Sequence, residues 1–270
     1  MRIIINNLLF FSFLYPSLNI IDEGLSYQIF TNANESSVNT SEIVIITIDP
    51  NFYNINLFSS KDYNHDNLTV KEWSEKHGLI IAVNAGMFQE DYLSNVGYMK
   101  QFDSINNSNI NHYQSIAAFN PKDTNKDKFK IFDIEKINGV LDTEYIKSII
   151  DEYETVIQNL RLVKRSKENR WPQQVKKWSE VALGEDSSGN ILLIFSRAPY
   201  SMHDLNNILI DLPINLECAQ HLEGGPEASI YLKYNDIELK YIGSYESLFM
   251  ENNNNNIFWE VPNIIGISKK

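Results

Sequence analysis

Cysteine is nearly absent from this chain. Cys218 is the single one in 270 residues, which excludes an internal disulfide and any metal cluster built on thiolates. Positive charge is also scarce: 23 Lys and Arg against 35 Asp and Glu leave a net charge of −12. A surface that neutralises phosphates needs clustered Lys and Arg, so nucleic acid is excluded as a partner and anionic membrane surfaces are disfavoured. No apolar stretch is long enough for a stable membrane span, and neither an internal repeat nor a domain boundary interrupts the chain.

What is present is material for a core. Hydrophobic residues at 43% and aromatics at 12% suit one sizeable folded domain rather than disorder. At the amino terminus, Met1-Arg2 and the apolar segment Leu8-Leu9-Phe10-Phe11-Ser12-Phe13-Leu14 have the n- and h-regions of a secretory signal. No clean small-residue cleavage pattern follows, and the neighbourhood of Gly24-Leu25-Ser26 serves best. The expected organisation is a leader over residues 1–25 and a single domain over residues 26–270, secreted or periplasmic. A buried N-terminal strand or helix is the alternative.

Strands dominate the remainder. The β-branched run at residues 43–48, the alternating run at 52–58, and the buried-type run at 79–83 ending in Asn84 all read as strands. Thr69 and Glu72 form a capping box opening a helix that Gly78 stops. Asp142 caps a second helix with an apolar stripe of Ile146, Ile149, Ile150, Tyr153 and Ile157. Ser201 caps a third, carrying Leu205, Ile208, Leu209 and Leu212 and closed by Pro213. Residues 181–184 and 191–195 flank a turn at Asp186-Ser187-Ser188-Gly189-Asn190, and the second run is apolar enough to be central. The Asn-rich segments at 101–111 and 252–256 read as exposed loops. Strands outnumber dispersed helices, which predicts an α+β fold with a mixed β-sheet core.

The most suggestive stretch is Leu216 to Tyr231, LECAQHLEGGPEASIY. Apolar runs on either side of Gly224-Gly225 read as strand, tight turn, strand. Glu223 then stands at a strand end, where a carboxylate can point into a pocket, and His221 two residues earlier shares its side. An ordinary hairpin with an exposed acid is the plainer reading. Asn84, ending its own strand, either satisfies a turn locally or presents an amide to a sugar hydroxyl or phosphate oxygen.

Three motifs, NAGMF at residues 84–88, VALGEDSSG at 181–189 and HLEGGPEAS at 221–229, together resemble the phosphodiester glycosidase family in order and spacing. The resemblance implies hydrolysis of a sugar-1-phosphodiester or related glycoside at the glycosidic carbon; no cofactor is expected and no metal ligand is assigned, metal dependence not being legible in the sequence. Glu223 would act as base or nucleophile, His221 as a proton carrier and Asn84 as a polar anchor. Gly86, Gly224, Gly225 and Ser229 would lie against the substrate. Two positions depart from the family: Glu223 replaces an aspartate, and Glu180 falls near where an arginine commonly stands. Arg161 or Arg197 would then supply positive charge for a phosphate, unless each is a plain ion-pair residue. A carbohydrate-binding protein that has lost catalysis, or a surface protein acting through its Asn-rich loops, are the competing readings. The oligomeric state is not legible in the sequence.

Overall fold

The apolar runs pair into three antiparallel sheets. The computed structural model describes residues 16–31, 41–63 and 67–270. In the first sheet, of seven strands, the order is Asn19–Asp22, Leu25–Thr31, Glu42–Ile48, Ile191–Tyr200, Trp178–Asp186, Leu216–Gly224 and Arg161–Val163. The second has five: Ile237–Ile242, Ser229–Tyr234, Ile81–Asn84, Asn263–Lys269 and Tyr53–Ser59. The third also has five: Phe129–Asp133, Ser115–Pro121, Tyr153–Asn159, Met99–Gln101 and Ser104–Asn107. The α+β class stands, and within these three sheets every pairing is antiparallel rather than mixed.

Side-chain alternation divides each strand between two environments. Val44, Ile46 and Ile48 point into a central core shared with Leu57, Val83 and Ile265 of the second sheet and Ala117, Phe119 and Ile157 of the third. Ile43 and Ile45 point the other way, against the helix Met202–Asp211. The helix Thr143–Glu152 covers the outer face of the third sheet through Ile146 and Ile149. Val70 and Trp73 of the helix Val70–His77 cover the second. Three sheets thus enclose one core, and each is backed by one helix.

The helix ends follow the sequence signals. Thr69 Oγ1 accepts from the Glu72 amide at 3.2 Å and the Glu72 carboxylate accepts from the Thr69 amide at 2.9 Å, while Gly78 closes the helix in the left-handed region at φ 64°. The second helix is shorter than its apolar stripe. It ends at Glu152, and Tyr153 and Ile157 belong to the strand Tyr153–Asn159. Strand residues there coincide with helical spacing, and β-branched Thr155-Val156-Ile157 decides for extended backbone.

One further expectation changes. The runs flanking Gly224-Gly225 are strands, but one lies in the seven-stranded sheet and the other in the second, so the turn joins sheets instead of closing a hairpin. At the amino end, ordered structure is present ahead of residue 26. Asn19–Asp22 is the edge strand, Leu25 is buried, and Asp22 accepts hydrogen bonds from Tyr53 and Tyr234 and pairs with Lys269. The n- and h-regions expected of a leader lie outside the described residues. Among the described residues no helix is long and apolar enough to cross a membrane.

Candidate active site

Glu180 and His221 sit on neighbouring strands of the seven-stranded sheet. Val181 pairs with Glu223 and Ala182 with His221, which leaves Leu222 as an extra residue on its strand. Such bulges re-aim side chains, and here both His221 and Glu223 line the same cavity of about 410 Å³. His221 is 3% exposed. Its Nδ1 is 2.6 Å from Glu180 Oε1, and Trp178 Nε1 donates to Glu180 Oε2 at 2.7 Å. A carboxylate facing Nδ1 fixes the proton there, and Nε2 has no protein partner among the described residues.

The Gly-Gly turn then folds acids back over this pair. Gly225 has φ +69°, and a Cβ on it would lie 2.6 Å from Glu246 Oε2. A Cβ on Gly224 would lie 2.6 Å from Trp178 Cδ1. Only glycine lets the backbone pass between Trp178 and Glu246. The short 3₁₀ turn Gly225–Glu227 returns Glu227 to the cavity, beside Glu223 and Glu246. Phe88, Trp171 and Trp178 supply aromatic wall.

Carboxyl groups crowded in a half-buried cavity hold their protons. Burial, reinforced by the charges of Glu227, Glu180 and Glu246, pushes Glu223 well above the ordinary carboxylate range. The Gly224 amide, donating to Glu223 Oε1 at 3.1 Å, opposes this only in part. Burial and then the charge of Glu246 push Glu227 up to about 7. Glu246 is raised by burial, countered by the charges of Lys176 and His221. Among the described residues, no group of three or more His, Cys, Asp or Glu side chains is arranged to hold a metal ion.

The sequence-derived candidates divide cleanly. His221, Glu223 and Gly224 line the cavity, and Gly225 shapes it from behind. Asn84 is fully buried below it: its Oδ1 accepts from the Ser229 amide at 2.9 Å and lies 3.0 Å from the Ser229 hydroxyl. That pair fastens the far end of the Gly-Gly turn to the strand Ile81–Asn84. Gly86, at φ +150°, leaves no room for a Cβ beside Asn95 and Asn159. The two arginines are elsewhere. Arg161 pairs with Asp133 at 3.4 Å and Glu135 at 3.3 Å. Arg197 donates to the carbonyls of Ile242, Asn253 and Asn255.

Sequence reasoning missed Glu180, Glu227, Glu246 and the two tryptophans as site residues. Glu227 carried a readable signal, since Glu223 and Glu227 straddle Gly-Gly-Pro and a tight turn brings such residues together. A larger cleft of about 570 Å³ lies across the molecule, between Lys126–Lys130 and Glu185–Gly189. Its Lys130 and Arg165 are committed to the buried Glu185, so it offers less uncompensated chemistry than the smaller cavity.

Aromatic walls and three crowded carboxyls at the ends of strands make this cavity a candidate small-molecule site. Residues 77–268 match the family described as phosphodiester glycosidase, and the chain belongs to that family. Among solved structures, the catalytic domain of zebrafish N-acetylglucosamine-1-phosphodiester α-N-acetylglucosaminidase, auto-inhibited by its pro-peptide, is similar with a TM-score of 0.64 and 16% identity. That match covers 95% of this chain and 87% of that one. A hypothetical protein from Synechocystis matches with a TM-score of 0.67 and 12% identity, over 94% of this chain and 64% of its own. At these identities the likeness is one of fold. No curated protein sequence matches the chain significantly.

Proposed function

We propose that the chain is an exported glycoside hydrolase that cleaves at the anomeric carbon of a sugar-1-phosphodiester or related glycoside. The observation that carries this reading is the pairing of Glu223 and Glu227 across the Gly-Gly turn in one aromatic-walled cavity. Glycoside hydrolysis needs a carboxylic acid to protonate the leaving oxygen and a carboxylate to act as base or nucleophile. Two acids whose environments hold their protons unequally can divide those roles. Glu223, expected from the sequence to be base or nucleophile, is raised well above the ordinary range by burial and the neighbouring carboxylates and takes the acid's part instead. Glu227, ionising at about 7, is the base.

In this scheme Glu223 gives its proton to the glycosidic oxygen as the C1–O bond breaks. Water attacks C1, and Glu227 takes the water's proton. His221, its Nδ1 held by Glu180, offers Nε2 to a sugar hydroxyl or to the water. Glu180, which departs from the family pattern, thereby acquires a positioning role in place of the missing arginine. Arg161 and Arg197, tied to other groups, take no part. The Asn-rich loops do not favour a surface-binding role: Asn106 and Asn255 turn inward, bonding to Ser59, Asn263 and the carbonyl of Gly243.

The test is hydrolysis of a panel of aryl glycosides and sugar-1-phosphodiesters by purified protein, with Glu223→Gln as control. The variant nearly preserves shape, so it should melt near wild type and lose on the order of a hundredfold or more in turnover. A folded, fully active Glu223→Gln protein would end the assignment.

A further inference from the structure

The cavity's chemistry is narrower than that of its family. We infer that it accepts a glycoside whose leaving group is an uncharged, apolar alcohol or phenol, and that it rejects phosphodiesters. The inference rests on the glycosidase reading above. Glu223, Glu227 and Glu246 line the cavity, Glu180 stands behind His221, and no lysine or arginine lines it among the described residues. A phosphodiester is an anion at any physiological pH; the carboxylates of Glu246 and, as it ionises, Glu227 repel it through a medium that screens poorly, and the protonated Glu223 supplies no compensating charge.

The usual substitutes for a cationic side chain are also occupied. The Gly224 amide donates to Glu223 itself. The helix beginning at Met202 starts beside the cavity, but Ser201 already caps it by accepting from the Asp204 amide, and Asp204 places a carboxylate in its first turn. The positive charges that reach Glu246 are those of Lys176, an exposed residue outside the cavity lining, and of His221, whose Nδ1 already faces Glu180.

Leaving-group chemistry points the same way. A phosphate, with a second pKa of about 6, departs without a proton, whereas an alcohol needs one. A cavity that keeps a protonated carboxyl beside a second, ionisable one suits the alcohol. The rest of the lining is apolar: Met87, Phe88, Val96, Leu160, Trp171 and Met202 line the same cavity. An apolar aglycone bound there would meet these side chains.

The experiment uses the full chain and matched substrates: phenyl glycosides and methyl phosphodiesters of the same sugars, both anomers, over glucose, galactose, mannose and N-acetylglucosamine. The expected kcat/KM favours the aryl glycoside by on the order of a hundredfold or more. Glu246→Lys should narrow that ratio by favouring the phosphodiester, and Glu246→Gln should do so more weakly if the lysine variant does not fold. Cleavage of the phosphodiester as well as or better than the aryl glycoside, dependent on Glu223, would overturn the inference and leave the hydrolase reading standing. Turnover of neither class would remove both.

Discussion

Replacing Glu227 by glutamine should change how the protein's stability depends on pH. The Glu227 carboxyl moves from an ordinary value of 4.5 to about 7 on folding, so the folded chain holds this proton more tightly than the unfolded chain does. The resulting contribution is fully present below about pH 4.5 and is lost as the pH rises through about 7. At about 1.4 kcal/mol per pH unit, the wild type should lose about 3 kcal/mol through this one group between pH 4.5 and pH 8. Glutamine cannot ionise and should not show that loss. Urea unfolding of both proteins at intervals over this range measures the difference directly. Thermal scans should show it as a gap opening by about 6 to 12 °C towards alkaline pH for a chain of this size. Wild-type and variant curves that stay parallel from pH 4.5 to 8 would refute the burial of this carboxyl, and with it the proton-holding cavity.

Other perturbations have equally definite outcomes. Glu180→Gln retains one acceptor oxygen for two donors, Trp178 Nε1 and His221 Nδ1; it should cost about 1–3 kcal/mol for the donor left unpaired and lower kcat, and an unchanged variant would remove the positioning role. Gly225→Ala places a methyl at positive φ against Glu246; a loss of about 1–2 kcal/mol should appear as a lower melting temperature with impaired turnover, and a stable, active variant would contradict the turn geometry.

Local chemistry was legible in the sequence and long-range pairing was not. Thr69 and Glu72 carry their hydrogen bonds within one helical turn, so the cap could be read directly. Strand positions such as 43–48 and 191–195 follow from β-branched and apolar runs. Glu180 and His221, however, meet across 41 residues of chain, and nothing local marks such a pairing. Glu246 reaches the cavity only because residues 244–247 bond to Lys177 and Ser179. Tyr153 and Ile157 satisfied helical and strand spacing alike, and tertiary pairing with the strand Ser115–Pro121 settled them. The Asn-rich segments are largely exposed, as read, but Asn106 and Asn255 turn inward, because buried polar groups need amide partners that polarity alone does not reveal. The strand Asn19–Asp22 was not legible because it is an edge strand, too short to declare itself before its partner Leu25–Thr31 is placed.

The position of bond cleavage tests the glycosidase reading most directly. Hydrolysis run in ¹⁸O-labelled water, with products separated and analysed by mass spectrometry, locates the oxygen that water delivers. Attack at C1 by water that Glu227 deprotonates should place the label in the anomeric hydroxyl of the released sugar and none in the leaving group. Label in the leaving group, or in a phosphate released from a phosphodiester, would mean attack at another atom and would contradict the assignment of Glu223 and Glu227 as a glycosidase pair.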